Sequence, residues 1–141
     1  MNDSEQYIEL LNRAHKTLVA ELRRLAEPHD INRGELPVLV RLLRAGDGVS
    51  QKVLREDLPL SKSTLSKTIA SLSEKELVTK EPSETDGRVK LIYLTDKGRN
   101  LDPTIKEIGN GAATKMLADF DPVEKEQLAN YLERIEDNLN S

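Results

Sequence analysis

The chain has 141 residues, 37% hydrophobic and 33% charged, with no cysteine and a formal net charge of −4. That length suits one domain with a modest core. The lack of cysteine excludes disulfides, thiol redox chemistry and thiolate metal sites, and no apolar run approaches the roughly 18 residues that span a bilayer.

The charge is unevenly spread. Residues 1–30 carry net −2 and residues 115–141 net −4, whereas residues 31–114 carry +2. Bulk charge would not coat nucleic acid, but a mildly basic centre between acidic ends suits a centre that meets phosphate and ends that meet each other. The start MNDSEQYIELLNRAHK is amphipathic and contains acidic residues, unlike a secretory signal or a transit peptide. A cytoplasmic address with no membrane partner is expected.

In chain order, Ile8, Leu11, His15, Leu18, Leu22 and Leu25 recur at alternating steps of three and four. This predicts a first helix with a seam that packs along another helix, stopped by Pro28. Asn32 and Glu35 form a capping-box start for a second helix with Leu36, Leu39, Val40, Leu42 and Leu43 inward. Pro37 lies past the free first turn and predicts a late or kinked start. Ala45-Gly46-Asp47-Gly48 ends that helix. Ser50 caps a short third helix carrying Val53, Leu54 and Leu58, closed by Pro59.

Ser61 caps a fourth helix, residues 61–76, in which Leu65, Ile69 and Leu72 share one face. The opposite face presents Ser63, Ser66, Lys67, Ala70 and Ser71, with Lys62 and Thr64 near its start. These side chains are short, so another surface can approach the backbone closely. A hairpin over 77–94 follows: a strand through Leu77–Lys80, a turn through Glu81–Gly87 that leads into Arg88 by way of Asp86-Gly87, and a returning strand. Tyr93 is expected to alternate inward.

Thr95 caps a fifth helix with Leu101, Ile105, Ile108, Ala112 and Met116 on its stripe. Pro103, Gly109 and Gly111 make it weak on propensity alone. Asp121-Pro122-Val123-Glu124 starts a sixth helix with Leu128, Tyr131, Leu132, Ile135 and Leu139.

The fold expected is mainly α with a small β-hairpin wing: a winged helix-turn-helix of six helices. Residues 31–95 would form a DNA-binding lobe, and 1–30 with 96–141 would form dimerisation helices. A small polar basic helix followed by an arginine-tipped hairpin suits a surface lying on a duplex, with one part in each groove.

Asp86-Gly87-Arg88, then Leu94-Thr95-Asp96-Lys97-Gly98-Arg99, behind Ser-Lys-Ser-Thr-Leu-Ser-Lys at 61–67, resemble the MarR family of bacterial and archaeal transcriptional regulators over essentially the whole chain. The resemblance implies an obligate homodimer joined by its terminal helices, on a pseudo-palindromic operator of double-stranded DNA. Ser61–Ser71 would read the major groove of each half-site, and Arg88, oriented by Asp86, would reach the minor groove. It also implies repression released by a small aromatic or amphipathic effector. Three positions depart from the family pattern: Pro59 in the turn before the recognition helix, Arg55 where a small residue is common, and Glu76 where glycine usually ends that helix. The helix is therefore expected to end differently here.

The DNA-binding candidates are Lys62, Ser63, Thr64, Ser66, Lys67, Ser71, Asp86, Arg88 and Lys90, with Lys80 and Arg55 as weaker ones. Lysines suit phosphate contact, and hydroxyls suit either phosphates or base edges. An arginine suits the enhanced negative potential of a narrow A·T-rich minor groove. His15, the one ionisable residue of the first seam, has two open readings: a buried or interfacial histidine with a hydrogen-bond partner, or a residue lining an effector pocket between the dimer helices and the DNA-binding lobe. No catalytic constellation, nucleotide fingerprint or metal-ligand spacing is present, so neither an enzyme nor a cofactor is expected. The rival reading is a winged-helix protein-interaction module without DNA binding, favoured by the acidic net charge and by Glu81 and Glu84 near the wing.

Overall fold

The computed structural model describes residues 2–141; Met1, the first residue of the expected N-terminal segment, lies outside them. A capping box starts α1 (Asp3–Ala26): the Asn2 side chain accepts from the Glu5 N–H and the Glu5 carboxylate accepts from the Asn2 N–H. Pro28 sits in a single 3-10 turn, Glu27–His29, that ends the run. Asn32 and Glu35 make the same reciprocal exchange, at 2.9 and 2.8 Å, ahead of α2 (Glu35–Ala45). The regular helix begins three residues after Asn32, in keeping with the late start expected from Pro37, which cannot donate to the Arg33 carbonyl.

Ser50 caps α3 (Gln51–Asp57) and Ser61 caps α4 (Lys62–Glu74). Strands β2 (Val78–Pro82) and β3 (Lys90–Leu94) form the hairpin, from Val78 opposite Leu94 to Pro82 opposite Lys90. The sequence did not reveal β1 (Val49–Ser50), which pairs with Ile92 and Leu91 and makes a three-stranded antiparallel sheet in the order β1-β3-β2. Two residues carry too little periodicity to read as a strand.

The expected fifth helix divides at Asn100–Leu101 into a one-turn α5 (Asp96–Arg99) and α6 (Asp102–Met116), with Pro103 in the first turn of α6, where its missing N–H costs nothing. Gly109 and Gly111 lie within α6 without breaking it, and Leu25 of α1 packs beside Gly111. The capping box Asp121/Glu124 starts α7 (Pro122–Leu139). Among the described residues six helices are longer than one turn, and none is long and apolar enough to cross a membrane.

The core lies among α2, α3, α4, the sheet and α6. Leu36, Val38, Leu39 and Leu42 meet Leu54, then Leu65, Ile69 and Leu72, and Ile92, Leu94, Ile105 and Ile108 complete it. Each fully buried leucine here contributes about 1.5–3 kcal/mol. Val38 replaces the expected Val40, which is exposed.

Tyr93 is a second correction. On β3 the inward positions are Ile92 and Leu94, and Tyr93 is half-buried on the other face against Gly48. Both faces of this strand carry apolar residues, so alternation alone could not choose between them.

Glu76 is the third. It adopts φ +61°, its N–H donates to the Ser73 carbonyl, and the Leu77 N–H donates to the Leu72 carbonyl. This is the left-handed Schellman ending, with Leu72 and Leu77 buried beneath it. The helix therefore ends as it would with glycine, at a cost of roughly 1 kcal/mol for a side chain in that region.

Candidate nucleic-acid interface

Helix α4 carries Leu65, Thr68, Ile69 and Leu72 inward and leaves Lys62, Ser63, Thr64, Ser66, Lys67 and Ala70 exposed. Its first turn is held by the Ser61 hydroxyl, which accepts from the Thr64 N–H at 3.1 Å and donates to the Thr64 hydroxyl at 3.0 Å. The Gln51 amide donates to the Ser66 hydroxyl at 2.6 Å, leaving that hydroxyl its own proton to offer outward. Lys62, Ser63 and Lys67 have no side-chain partner among the described residues, so a face with two cations and several hydroxyls stands ready for an anionic polymer.

Ser71 does not belong to that face. It is half-buried, and its hydroxyl donates to Glu35 Oε2 at 2.8 Å. The turn-by-turn drift of a 3.6-residue helix carries it towards α2.

Glu35 is fully buried. Its Oε1 also accepts from Lys75 Nζ at 2.8 Å, and that ammonium donates onward to the Asp30 carbonyl at 2.7 Å. Burial works against the Lys75 ammonium, but the hydrogen bond and charge of Glu35, then of Asp30, outweigh it and hold its pKa above the ordinary lysine value.

The wing tip is ordered by Asp86. Its Oδ1 accepts the Arg88 backbone N–H at 3.0 Å and lies 3.4 Å from Arg88 Nε, while its carbonyl accepts from the Val89 N–H. The terminal guanidinium nitrogens are left unengaged among the described residues, on a side chain 93% exposed. An Asx-type turn thus aims an arginine outward without burying it. Lys90 and Lys80 are exposed on the same hairpin, as are Glu81 and Glu84, and Arg55 is exposed on α3.

The wing root is clamped to the end of α4. The Thr95 hydroxyl accepts from the Gly98 N–H and donates to the Glu76 carbonyl at 2.6 Å, the Thr95 N–H reaches the Leu77 carbonyl, and Lys97 Nζ donates to the Lys75 carbonyl. A Cβ on Gly98 would collide with the Leu77 carbonyl, which gives the glycine of Leu-Thr-x-x-Gly its physical reason. Asp47 Oδ2 accepts from the Leu94 N–H and from Arg99, tying α5 to the same joint.

Sequence reasoning missed Gln51 and Lys75. No local signal tells that Gln51 reaches α4, and Lys75 reads as an ordinary lysine after an amphipathic helix.

His15 is exposed on α1. Two open depressions of about 360 Å³ are present: one along α1 between Glu5 and Lys16, the other among Leu42, Asp47, Leu94 and Asp102. His15 lines neither of these depressions. Among the described residues no cluster of three or more potential ligands could hold a metal ion.

The MarR family model matches residues 29–89, the stretch that contains α2 through the wing tip. An HTH-type transcriptional regulator of Bacillus subtilis (strain 168), YxaD, is 32% identical over 98 residues, covering 70% of this chain and 68% of that protein. A MarR transcriptional regulator from Methanosarcina mazei Go1 superposes with a TM-score of 0.88 at 28% identity, over 95% of this chain and 96% of its own. A MarR-family protein from Listeria monocytogenes, solved in complex with 26mer DNA, shares the fold with a TM-score of 0.81 at 24% identity, over 99% and 90% of the two chains.

Proposed function

The chain belongs to the MarR family of transcriptional regulators, and we propose that two copies of it read a pseudo-palindromic duplex, one half-site to each protomer. It is a DNA-binding regulator with a winged helix-turn-helix lobe. In this reading the outer face of α4 enters the major groove, with Lys62 and Lys67 on phosphates and Ser63, Thr64 and Ser66 on phosphates or base edges. Arg88 enters the adjacent minor groove, and Lys90 follows the backbone beside it.

The observation that carries the reading is the wing tip: an exposed arginine aimed by Asp86, at the end of a hairpin whose root is bonded to the end of α4. Helix and wing are thereby set at one mutual angle, as simultaneous contact with two grooves requires.

The homodimer rests on the terminal helices. Tyr7, Ile8 and Leu11 of α1, with Val123, Tyr131, Leu132, Ile135 and Leu139 of α7, are exposed in the protomer, and α7 buries no residue. An 18-residue amphipathic helix gains little stability from propensity alone, so a second copy of the same face is its natural cover. Domain roles follow: residues 31–95 read DNA and the two ends pair. Two-fold pairing places the recognition helices for half-sites about one helical turn apart. Occupancy of a promoter represses it, and a small aromatic or amphipathic molecule releases it by changing the separation of the two α4 helices, with Gly109 and Gly111 of α6 as the pliable segment.

Fluorescence anisotropy on the gene's own upstream region, over a series of salt concentrations, tests the reading. Affinity is expected to fall steeply with salt, and Arg88→Ala to weaken binding by about ten- to a hundredfold while lowering the salt slope by about two, one for each protomer. A flat salt response with Arg88→Ala indistinguishable from the parent would overturn it. That outcome would favour the protein-interaction module, for which the exposed Glu81 and Glu84 beside the wing tip speak.

A further inference from the structure

The one fully buried charged side chain among the described residues, Glu35, lies at the start of α2, and all its carboxylate bonds converge on the C-terminal end of α4 and the loop before α2. Oε1 takes the Asn32 N–H and Lys75 Nζ, each at 2.8 Å, and Oε2 takes the Ser71 hydroxyl at 2.8 Å. Lys75 closes the cluster onto the Asp30 carbonyl at 2.7 Å, with the Asp30 carboxylate 3.5 Å away. No buried side-chain polar atom among the described residues is left without a partner, so the network is complete.

The rest of the α4 packing is through Leu65, Ile69 and Leu72, whose aliphatic contacts resist separation but set rotation about the helix axis only weakly. Charged hydrogen bonds are directional: one from Ser71 of α4 and one from its C-cap residue Lys75 fix both the turn and the height of its C-terminal half against α2. A fully connected buried ionic network contributes little net stability over apolar packing, and its attested use is to select one arrangement among several.

We infer that Glu35 and Lys75 are positioning residues for sequence recognition, holding α4 at the rotation that presents its outer face, while neither touches DNA. Lys75, which reads from the sequence as an ordinary lysine, is consumed inside the protein. The inference rests on the DNA-binding reading above, and its test separates the two.

The full-length parent is first used to select duplexes from a random-sequence pool. Parent, Glu35→Gln, Lys75→Gln and Lys75→Arg are then titrated by anisotropy, well below their melting midpoints, against a selected duplex and a scrambled duplex of the same composition. The ratio of the two affinities is expected to fall by roughly tenfold or more in Glu35→Gln and Lys75→Gln, with scrambled-duplex affinity and salt slope unchanged, and to recover in Lys75→Arg. A merely structural contribution lowers the melting midpoint and leaves that ratio alone. An unchanged ratio in folded variants overturns the inference. So does an equal loss on both duplexes with a salt slope lower by about two in Lys75→Gln, one for each protomer, which would make Lys75 a phosphate contact. Should Glu35→Gln not fold, Ser71→Ala, which removes a single bond of the network, carries the same expectation and the same refutation. If the parent enriches no sequence, it is the DNA-binding reading that fails.

Discussion

The lobe from α2 to β3 and the terminal helices are written in the same sequence language and end in opposite states. Both use capping boxes, with Asn32/Glu35 opening α2, Asn2/Glu5 opening α1 and Asp121/Glu124 opening α7. Both carry apolar stripes at helical spacing. In the lobe those stripes close on one another until Leu39, Leu54, Leu65 and Ile69 are fully buried, whereas α7 and the first half of α1 bury nothing. An apolar stripe thus states that a helix needs a partner; whether that partner lies in the same chain is a separate matter. The acidic charge of the ends, net −2 and −4, and the net +2 of the centre follow the same division.

The strongest way to break the comparison is to spoil the cover of the ends. Leu132→Asp, on the exposed stripe of α7, is expected to leave the protomer folded and halve the mass seen by light scattering. Affinity for a two-half-site duplex should fall by about 10²–10⁴ as the second binding event ceases to be intramolecular. A variant that stays dimeric would remove α7 from the interface.

The converse change in the lobe is Leu65→Ala. A fully buried side chain shared by α4 and the core is expected to lose about 2–5 kcal/mol in chemical denaturation, with the terminal helices contributing nothing to its rescue. A loss under 1 kcal/mol would mean that the site collapses around the cavity.

Glu76→Gly sharpens the contrast in the other direction. Relief of the side chain held at φ +61° is expected to raise stability by roughly 1 kcal/mol, read as a shift in the denaturant midpoint with the slope unchanged. Destabilisation would show that the Glu76 side chain does something useful there.

The smallest effect concerns the joint between the two regions. Hydrogen bonds from Arg24 and then Lys115 hold the Glu21 carboxyl down at about 2, against an ordinary 4.5, and the Arg44 hydrogen bond lowers Asp102. A carboxyl depressed in the folded state adds stability that is complete above its unfolded pKa and is lost as pH falls through its folded one. The thermal midpoint is therefore expected to drop between pH 4.5 and 2, and Glu21→Gln to flatten that drop. The same slope in parent and variant would assign the acid loss elsewhere.

Much of the molecule is legible in the sequence. Helix starts at Ser50, Ser61, Thr95 and Asp121, the α4 face of Leu65, Ile69 and Leu72, and the Asp86-Gly87-Arg88 turn are decided within a few residues by capping, periodicity and backbone preference, and these act locally. Tertiary structure decided what depends on distant partners. Ser71 turned inward because Glu35, 36 positions away, accepts its proton, and Lys75 left the outer surface because that carboxylate, 40 positions away, needed a cation. Tyr93 took the face opposite the core, half-buried against Gly48, because Ile92 and Leu94 fill the inward positions, and Glu76 took a glycine's conformation because Leu77 had to reach the core. Local signals state what a segment can form; directional bonds between segments far apart in the chain settle which side chains remain free to meet DNA.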